Sequence, residues 1–116
     1  MIKRDGNYEK IIRDKMYGGN GKVLIEKLWD PEIDLKANNR LFAKLTIEPG
    51  STIGFHNHEN EEEVFVILKG VAEVDDNGKK EILTPGDTIL TANGAGHSIQ
   101  PIGDETLEVL AVISCY

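Results

Sequence analysis

Short runs of β-forming residues recur about every ten positions along most of this chain, and Gly, Pro or Asn-Gly punctuates the gaps between them. That rhythm predicts an antiparallel β-sandwich or barrel. Val23 to Trp29 is the first such run and stops at Asp30-Pro31. Leu41 to Ile47 alternates and stops at Pro49-Gly50. Val64 to Leu68 is apolar at every position, as expected of a strand covered on both faces. Val71–Asp75 and Lys80–Leu83 flank Asp76-Asn77-Gly78-Lys79; Asn-Gly tolerates the positive φ angles of a type I′ turn, so a hairpin is expected there. Thr84-Pro85-Gly86-Asp87 forms another turn before Thr88–Leu90, and Leu107 to Tyr116 is the last and longest run. Asp30 to Asn39 shows no clear period.

Ahead of the β-type runs, Tyr8 to Met16 reads as a short helix, with Ile11, Ile12 and Met16 on one stripe. At about nine residues it would be marginal alone and would have to pack on something as a surface cap. Gly18, Gly19 and Gly21 then break the chain. The expected organisation is therefore a helical, glycine-rich lead-in over residues 1–21 and a single barrel domain over residues 22–116.

Charge and cysteine usage narrow the partners. Thirteen Lys and Arg against 20 Asp and Glu give a formal charge of -7, which argues against nucleic acid. No apolar run approaches the roughly eighteen residues needed to span a bilayer. The opening Met1–Asn7 leads into no apolar stretch of a secretory signal, and the single Cys115 has no internal partner. A cytoplasmic location follows as the expectation.

The chain has three histidines, His56, His58 and His97. The i, i+2 spacing of the first two places both side chains on one face of a strand, where both imidazoles can reach a single cation. A carboxylate cluster, Glu59, Glu61, Glu62 and Glu63, follows at once. Nitrogen and oxygen donors converging from several strands suit a first-row transition metal. Glu63 opens the Val64–Leu68 run and shares a face with Phe65 and Ile67, whereas Glu62 shares one with Val64. Strand parity thus favours Glu63 as the ligand, and the acidic run from Glu59 to Glu62 reads as a solvated loop.

These residues carry a family resemblance. Gly50, His56, His58, Glu63 and Gly70, separated by five, one, four and six residues, resemble the first motif of the cupins. Gly86, Ala92, Gly94 and His97, separated by five, one and two, resemble the second, and the fifteen residues between Gly70 and Gly86 are typical of small bacterial members. Two positions depart from the pattern: Ala92 stands where the family usually has Pro, and Pro101 where it has Asn. Neither is a ligand. Gly94 and Gly96 loosen the loop that Ala92 no longer stiffens, and Pro101 is expected at an edge or the end of a strand.

The resemblance implies an all-β double-stranded β-helix, a jelly-roll barrel, with the short N-terminal helix outside it. It implies one divalent transition-metal ion per chain (Mn, Fe, Ni, Zn or Cu), held by His56, His58, Glu63 and His97, with Phe65, Ile67 and Ile99 lining the cavity. It also implies a homodimer formed through N-terminal strands and a small-molecule substrate or ligand. The first expectation for function is a metal-dependent enzyme acting on a small oxygen-rich molecule, by isomerase, decarboxylase, lyase or dioxygenase chemistry. The alternatives are a non-catalytic small-molecule or metal-binding module and, more remotely, a metal-free epimerase using His and Tyr. No Arg or Lys cluster follows the histidines, so dicarboxylate and sugar-phosphate ligands have little support in the sequence. Lys44 reads as solvent-facing, Cys115 as a small apolar side chain, and Tyr116 as packing.

Overall fold

The structure is a computed structural model that describes residues 1–116. Ten strands follow in order: β1 Glu9–Asp14, β2 Lys22–Lys27, β3 Asn39–Ile47, β4 Ile53–Asn57, β5 Glu61–Lys69, β6 Ala72–Asp76, β7 Lys79–Leu83, β8 Thr88–Ala92, β9 Gly96–Pro101 and β10 Leu107–Cys115. They form a six-stranded sheet in the order β1-β2-β3-β10-β5-β8 and a four-stranded sheet in the order β4-β9-β6-β7. Every pairing is antiparallel. From β3 onward the chain passes back and forth between the sheets at every step to β10 except at the β6–β7 hairpin, which stays within the smaller sheet. This winding is the double-stranded β-helix expected from the sequence.

Alternation builds the core. On β5, Glu61, Glu63, Phe65 and Ile67 point inward and are buried, while Val64 and Val66 are only half-buried. The Val64–Leu68 run is therefore covered fully on one face and partly on the other, and Leu68 is exposed. The inward residues of β3 (Ala43, Leu45, Ile47) and β10 (Leu107, Val109, Ala111) join Ile53, Val74 and Ile99 of the smaller sheet in one cluster. Each fully buried aliphatic or aromatic side chain there contributes about 1.5–3 kcal/mol. On the outer face Lys44 lies between Glu26 and Glu108, 3.6 and 3.2 Å away, so it serves a cross-strand ion pair and not the cavity.

The N-terminal segment corrects the sequence expectation. Tyr8 to Met16 is not a helix: β1 covers Glu9–Asp14 and pairs with all of β2, Glu9 opposite Lys27 through Asp14 opposite Lys22. Only Met16–Gly18 forms a 3-10 turn. The β-branched pair Ile11-Ile12 favours a strand. A nine-residue helix would also have had to offset its nucleation cost without help, whereas β2 offers a complete ladder of backbone partners.

The turns follow the sequence closely. Asn77 and Gly78 have φ of 51° and 101°, the left-handed pair of a two-residue hairpin. Gly70 is constrained twice, by a φ of 85° and because a Cβ there would lie 2.7 Å from the Thr106 carbonyl oxygen. Pro101 is the last residue of β9, where its missing donor costs least. No helix is long and apolar enough to cross a membrane.

Candidate metal centre

His56 on β4 and His97 on β9 are directly opposed in register. His58 lies one residue past β4 and is pinned to the β8–β9 loop by its own backbone: its N–H donates to Ala95 O at 3.0 Å, and its carbonyl accepts from Gly94 N–H at 2.9 Å. Glu63 comes from the other sheet, on β5, opposite Thr91 of β8. The one-letter spacing His-x-His and the parity of β5 thus deliver four donors to one point from both sheets. His58, Glu63 and His97 are buried, and His56 is half-buried.

The donors are close together. His58 Nε2 lies 3.1 Å from His97 Nε2, which lies 3.2 Å from His56 Nε2. Glu63 Oε1 is 2.9 Å from Nε2 of both His58 and His97. Neighbouring ligands of an octahedral ion with bonds of about 2.1 Å are about 3.0 Å apart, and those of a tetrahedral ion about 3.4 Å. The observed separations match the octahedral spacing.

The chemistry of the donor set points the same way. His56 Nδ1 donates to the Gly54 carbonyl at 2.7 Å, and His58 Nδ1 donates to Glu61 Oε2 at 2.5 Å. In the neutral rings both Nε2 atoms then carry lone pairs, that of His58 facing the Glu63 carboxylate and that of His56 facing His97 Nε2. His97 Nδ1 is likewise occupied, 2.8 Å from Thr91 Oγ1. A buried cluster of nitrogen and oxygen donors that converge in this way could hold a cation at its centre.

Electrostatics reflect that crowding. Burial pushes the His56 imidazole down to about 4, outweighing its hydrogen bond to Gly54. His58 is raised, chiefly by its hydrogen bond to Glu63, with Glu61 adding to it. Burial would raise the Glu63 carboxyl, but hydrogen bonds from His58 and His97 hold it below its ordinary value. Arg40 holds Glu61 down at about 2.

Aromatic rings frame the cluster. Phe65 stacks on His97, with centroids 4.7 Å apart and planes 9° from parallel. Tyr17, from the turn after β1, stacks on His56. Beside the cluster lies a cavity of about 90 Å³, reached by Arg13, Met16, Tyr17 and Arg40 as well as by His56, His58, Glu63 and Phe65. Ile67 and Ile99, expected beside Phe65 as lining, are not among the residues of this cavity; each is 1% exposed within the core. Tyr116 is 61% exposed, and its hydroxyl donates to Asn93 Oδ1 at 3.1 Å.

Two groups of residues at the site had not been anticipated. Arg13 and Arg40 supply the basic side chains missing after the histidines, and they come from β1 and β3, well upstream of them. Glu61 is buried, not part of a solvated loop: Arg40 grips it through Nε and Nη2 at 2.8 and 2.7 Å. The parity argument that selected Glu63 selects Glu61 as well, two residues earlier on the same face of β5.

The Cupin domain family model matches residues 43–113, which span every candidate ligand and most of both sheets. The chain is 42% identical to the oxalate-binding protein of Thermotoga maritima over 113 residues, covering 97% of this chain and 93% of that one. It superposes on the crystal structure of a protein from the same organism, described as a predicted oxalate decarboxylase, with a TM-score of 0.94, 37% identity and full coverage of both chains. A match to the mannose-1-phosphate guanylyltransferase of Klebsiella pneumoniae is 35% identical over 71 residues and covers only 15% of that enzyme.

Proposed function

Since the chain belongs to the cupin domain family, we propose that it holds one divalent transition-metal ion on His56, His58, Glu63 and His97 and uses that site to bind a small carboxylate anion of the oxalate class. The observation that carries this reading is the convergence of Arg13 and Arg40 on the cavity beside the four donors. A protein of net charge -7 repels anions at long range, but salt screens that repulsion beyond about 10 Å. Two arginines bordering the cavity act within that distance: Arg40 keeps N–H donors beyond the Nε–Nη2 fork it places on Glu61, and Arg13 offers a second guanidinium. The size agrees. About 90 Å³ corresponds to roughly three water molecules' share of liquid volume, enough for a two-carbon dicarboxylate and far too little for a sugar nucleotide.

The residues divide the work. Four protein donors at octahedral spacing leave room for a bidentate ligand, and a bound cation would supply Lewis acidity toward the ligand's oxygens. Arg13 and Arg40 neutralise and orient the anion. Met16, Leu41 and Ile113 keep the rest of the cavity apolar, which strengthens both interactions.

Binding without turnover fits the lining best, because Glu63 is its only carboxylate and would itself be a ligand. A decarboxylase or isomerase needs a proton donor that is not holding the ion. One observation favours an enzyme as the second reading: the Tyr17 phenol borders the same cavity and can donate a proton there. A homodimer belongs to the same proposal, supported by Ile12, 65% exposed on the free edge strand β1.

The test is metal analysis of the purified chain, followed by calorimetric titration of the metal-loaded protein with oxalate, acetate and a hexose phosphate. About one transition-metal ion per chain and a clear preference for oxalate are expected, with Arg13→Gln weakening that binding. A chain that takes up no metal, or binds oxalate no better than acetate, refutes the proposal. Carbon dioxide released from oxalate by the loaded protein, and lost in Tyr17→Phe, selects the second reading.

A further inference from the structure

Glu61 Oε2 is shared by two donors, His58 Nδ1 at 2.5 Å and Arg40 Nη2 at 2.7 Å, while Oε1 is held by Arg40 Nε at 2.8 Å. His58 turns its other nitrogen toward Glu63 and His97. Arg40 uses two of its five N–H donors on Glu61, and its side chain is 50% exposed and borders the cavity. One unbroken chain of contacts therefore runs from the cavity through Arg40, Glu61 and His58 to the point where the four donors converge.

We propose that Glu61 is the positioning residue for His58 as a metal ligand, and that Arg40, through Glu61, makes the hold on the metal respond to an anion in the cavity. The proposal rests on the metal-and-anion reading above. The carboxylate fixes His58 as the tautomer with hydrogen on Nδ1, so that Nε2 presents its lone pair, and it increases the electron density of the ring. Arg40 draws charge from Glu61. An anion that engages the free donors of Arg40 returns part of that charge to Glu61, and so to His58. Anion and metal then favour each other beyond any direct contact between them, and the coupling is reciprocal.

Glu61→Gln preserves shape and removes the charge; Glu62→Gln makes the same charge change one residue away, on the opposite face of β5. With Zn(II) alone as the probe and no anion present, Glu61→Gln is expected to weaken binding about 10- to 100-fold, and Glu62→Gln to alter it less than about 3-fold. Equal, small effects of the two variants overturn the positioning role. In the wild-type chain, nitrogen NMR of the Zn(II)-loaded protein is expected to show His58 with hydrogen on Nδ1 and metal on Nε2. The reverse arrangement also overturns it, without relying on any variant's folding.

For Arg40, oxalate affinity is measured with and without Zn(II) in the wild type and in Arg40→Gln. A residue that only touched the anion would lower both affinities equally. The coupling predicts that the ratio between them shrinks about 5-fold or more. An unchanged ratio removes Arg40 from the chain. A wild-type protein that binds no Zn(II) overturns this inference together with the function proposed above; a wild type that binds while the variants behave alike overturns this inference alone.

Discussion

The phenol of Tyr17 lies flat on the imidazole of His56, ring centroids 3.8 Å apart and planes 11° from parallel. Tyr17 holds this position from a backbone φ of 52°, in the left-handed region that non-glycine residues seldom occupy. Beneath it, a Cβ at Gly54 would run into the Tyr17 carbonyl oxygen, so the absence of a side chain at position 54 sets how closely the 3-10 turn approaches β4. The same Gly54 carbonyl accepts the His56 Nδ1 hydrogen.

The stack predicts a titration. Burial keeps His56 near 4, and Tyr17 supplies one whole face of that cover. Tyr17→Ala exposes the ring and should move the His56 pKa up toward its ordinary 6.5 in the metal-free protein. NMR titration of the ring protons reads this directly. A value that stays near 4 would show that other neighbours exclude the water.

Gly54→Ala should cost about 1–3 kcal/mol of stability, the usual range for overpacking a tight contact. Because the displaced turn takes Tyr17 with it, the variant should also lose affinity for metal. Denaturant unfolding and metal titration of the same sample check both halves. Unchanged stability would mean that the turn yields freely.

Metal should stabilise the fold by mass action. At a free concentration a thousand times Kd the gain is about 4 kcal/mol. For a domain of this size that raises Tm by roughly ten to twenty degrees. His58→Ala should abolish the gain while leaving the metal-free melting transition cooperative, since the core cluster contains no ligand residue. Scanning calorimetry with and without metal and chelator separates these outcomes.

Metal affinity should fall as pH is lowered. His58 is raised above 6.5 by its hydrogen bond to Glu63, and a metal can bind only the neutral ring, so protons compete below that raised value. For one competing proton the loss is about tenfold per pH unit, levelling off at higher pH. A series of titrations between pH 5.5 and 8.5 measures it, and a flat profile would argue against imidazole ligation.

Phe65→Ala removes a ring that is 1% exposed and stacked on His97. A loss of about 3–5 kcal/mol is expected from the cavity alone. Equilibrium unfolding of the metal-free protein isolates that term from any loss of metal.

What spacing and parity alone made legible was local, and it took the family resemblance to bring in His97 and the barrel. Spacing placed His56 and His58 together, parity chose Glu63 over Glu62, and Asn77-Gly78 declared its hairpin; each depends on neighbours a few residues apart. What escaped was set by pairing across the sheet. Ile11, Ile12 and Met16 satisfy a helical stripe as well as a strand, and nothing near them announces that β2 will accept their backbone. Reading that segment as a helix puts Arg13 on a surface cap and hides it from the cavity, and Tyr17, just past its end, goes unread with it. Arg40 was hidden for a related reason: its partner Glu61 is 21 residues away, on a strand separated from its own by β10.

The pairing of β1 with β2 has a consequence for how this protein can change. The four candidate donors all lie between positions 56 and 97, whereas Arg13, Met16 and Tyr17 reach the cavity from a hairpin arm that precedes the two-sheet winding. On the proposed reading, chelation draws on residues 56–97 alone, while the ligand's surroundings are shared between that arm and β3. On the same reading, an exchange of that arm between relatives would replace both part of the ligand's surroundings and the ring that covers His56, while the four donor side chains stay in place, so a change of ligand would retune the grip on the ion at the same stroke.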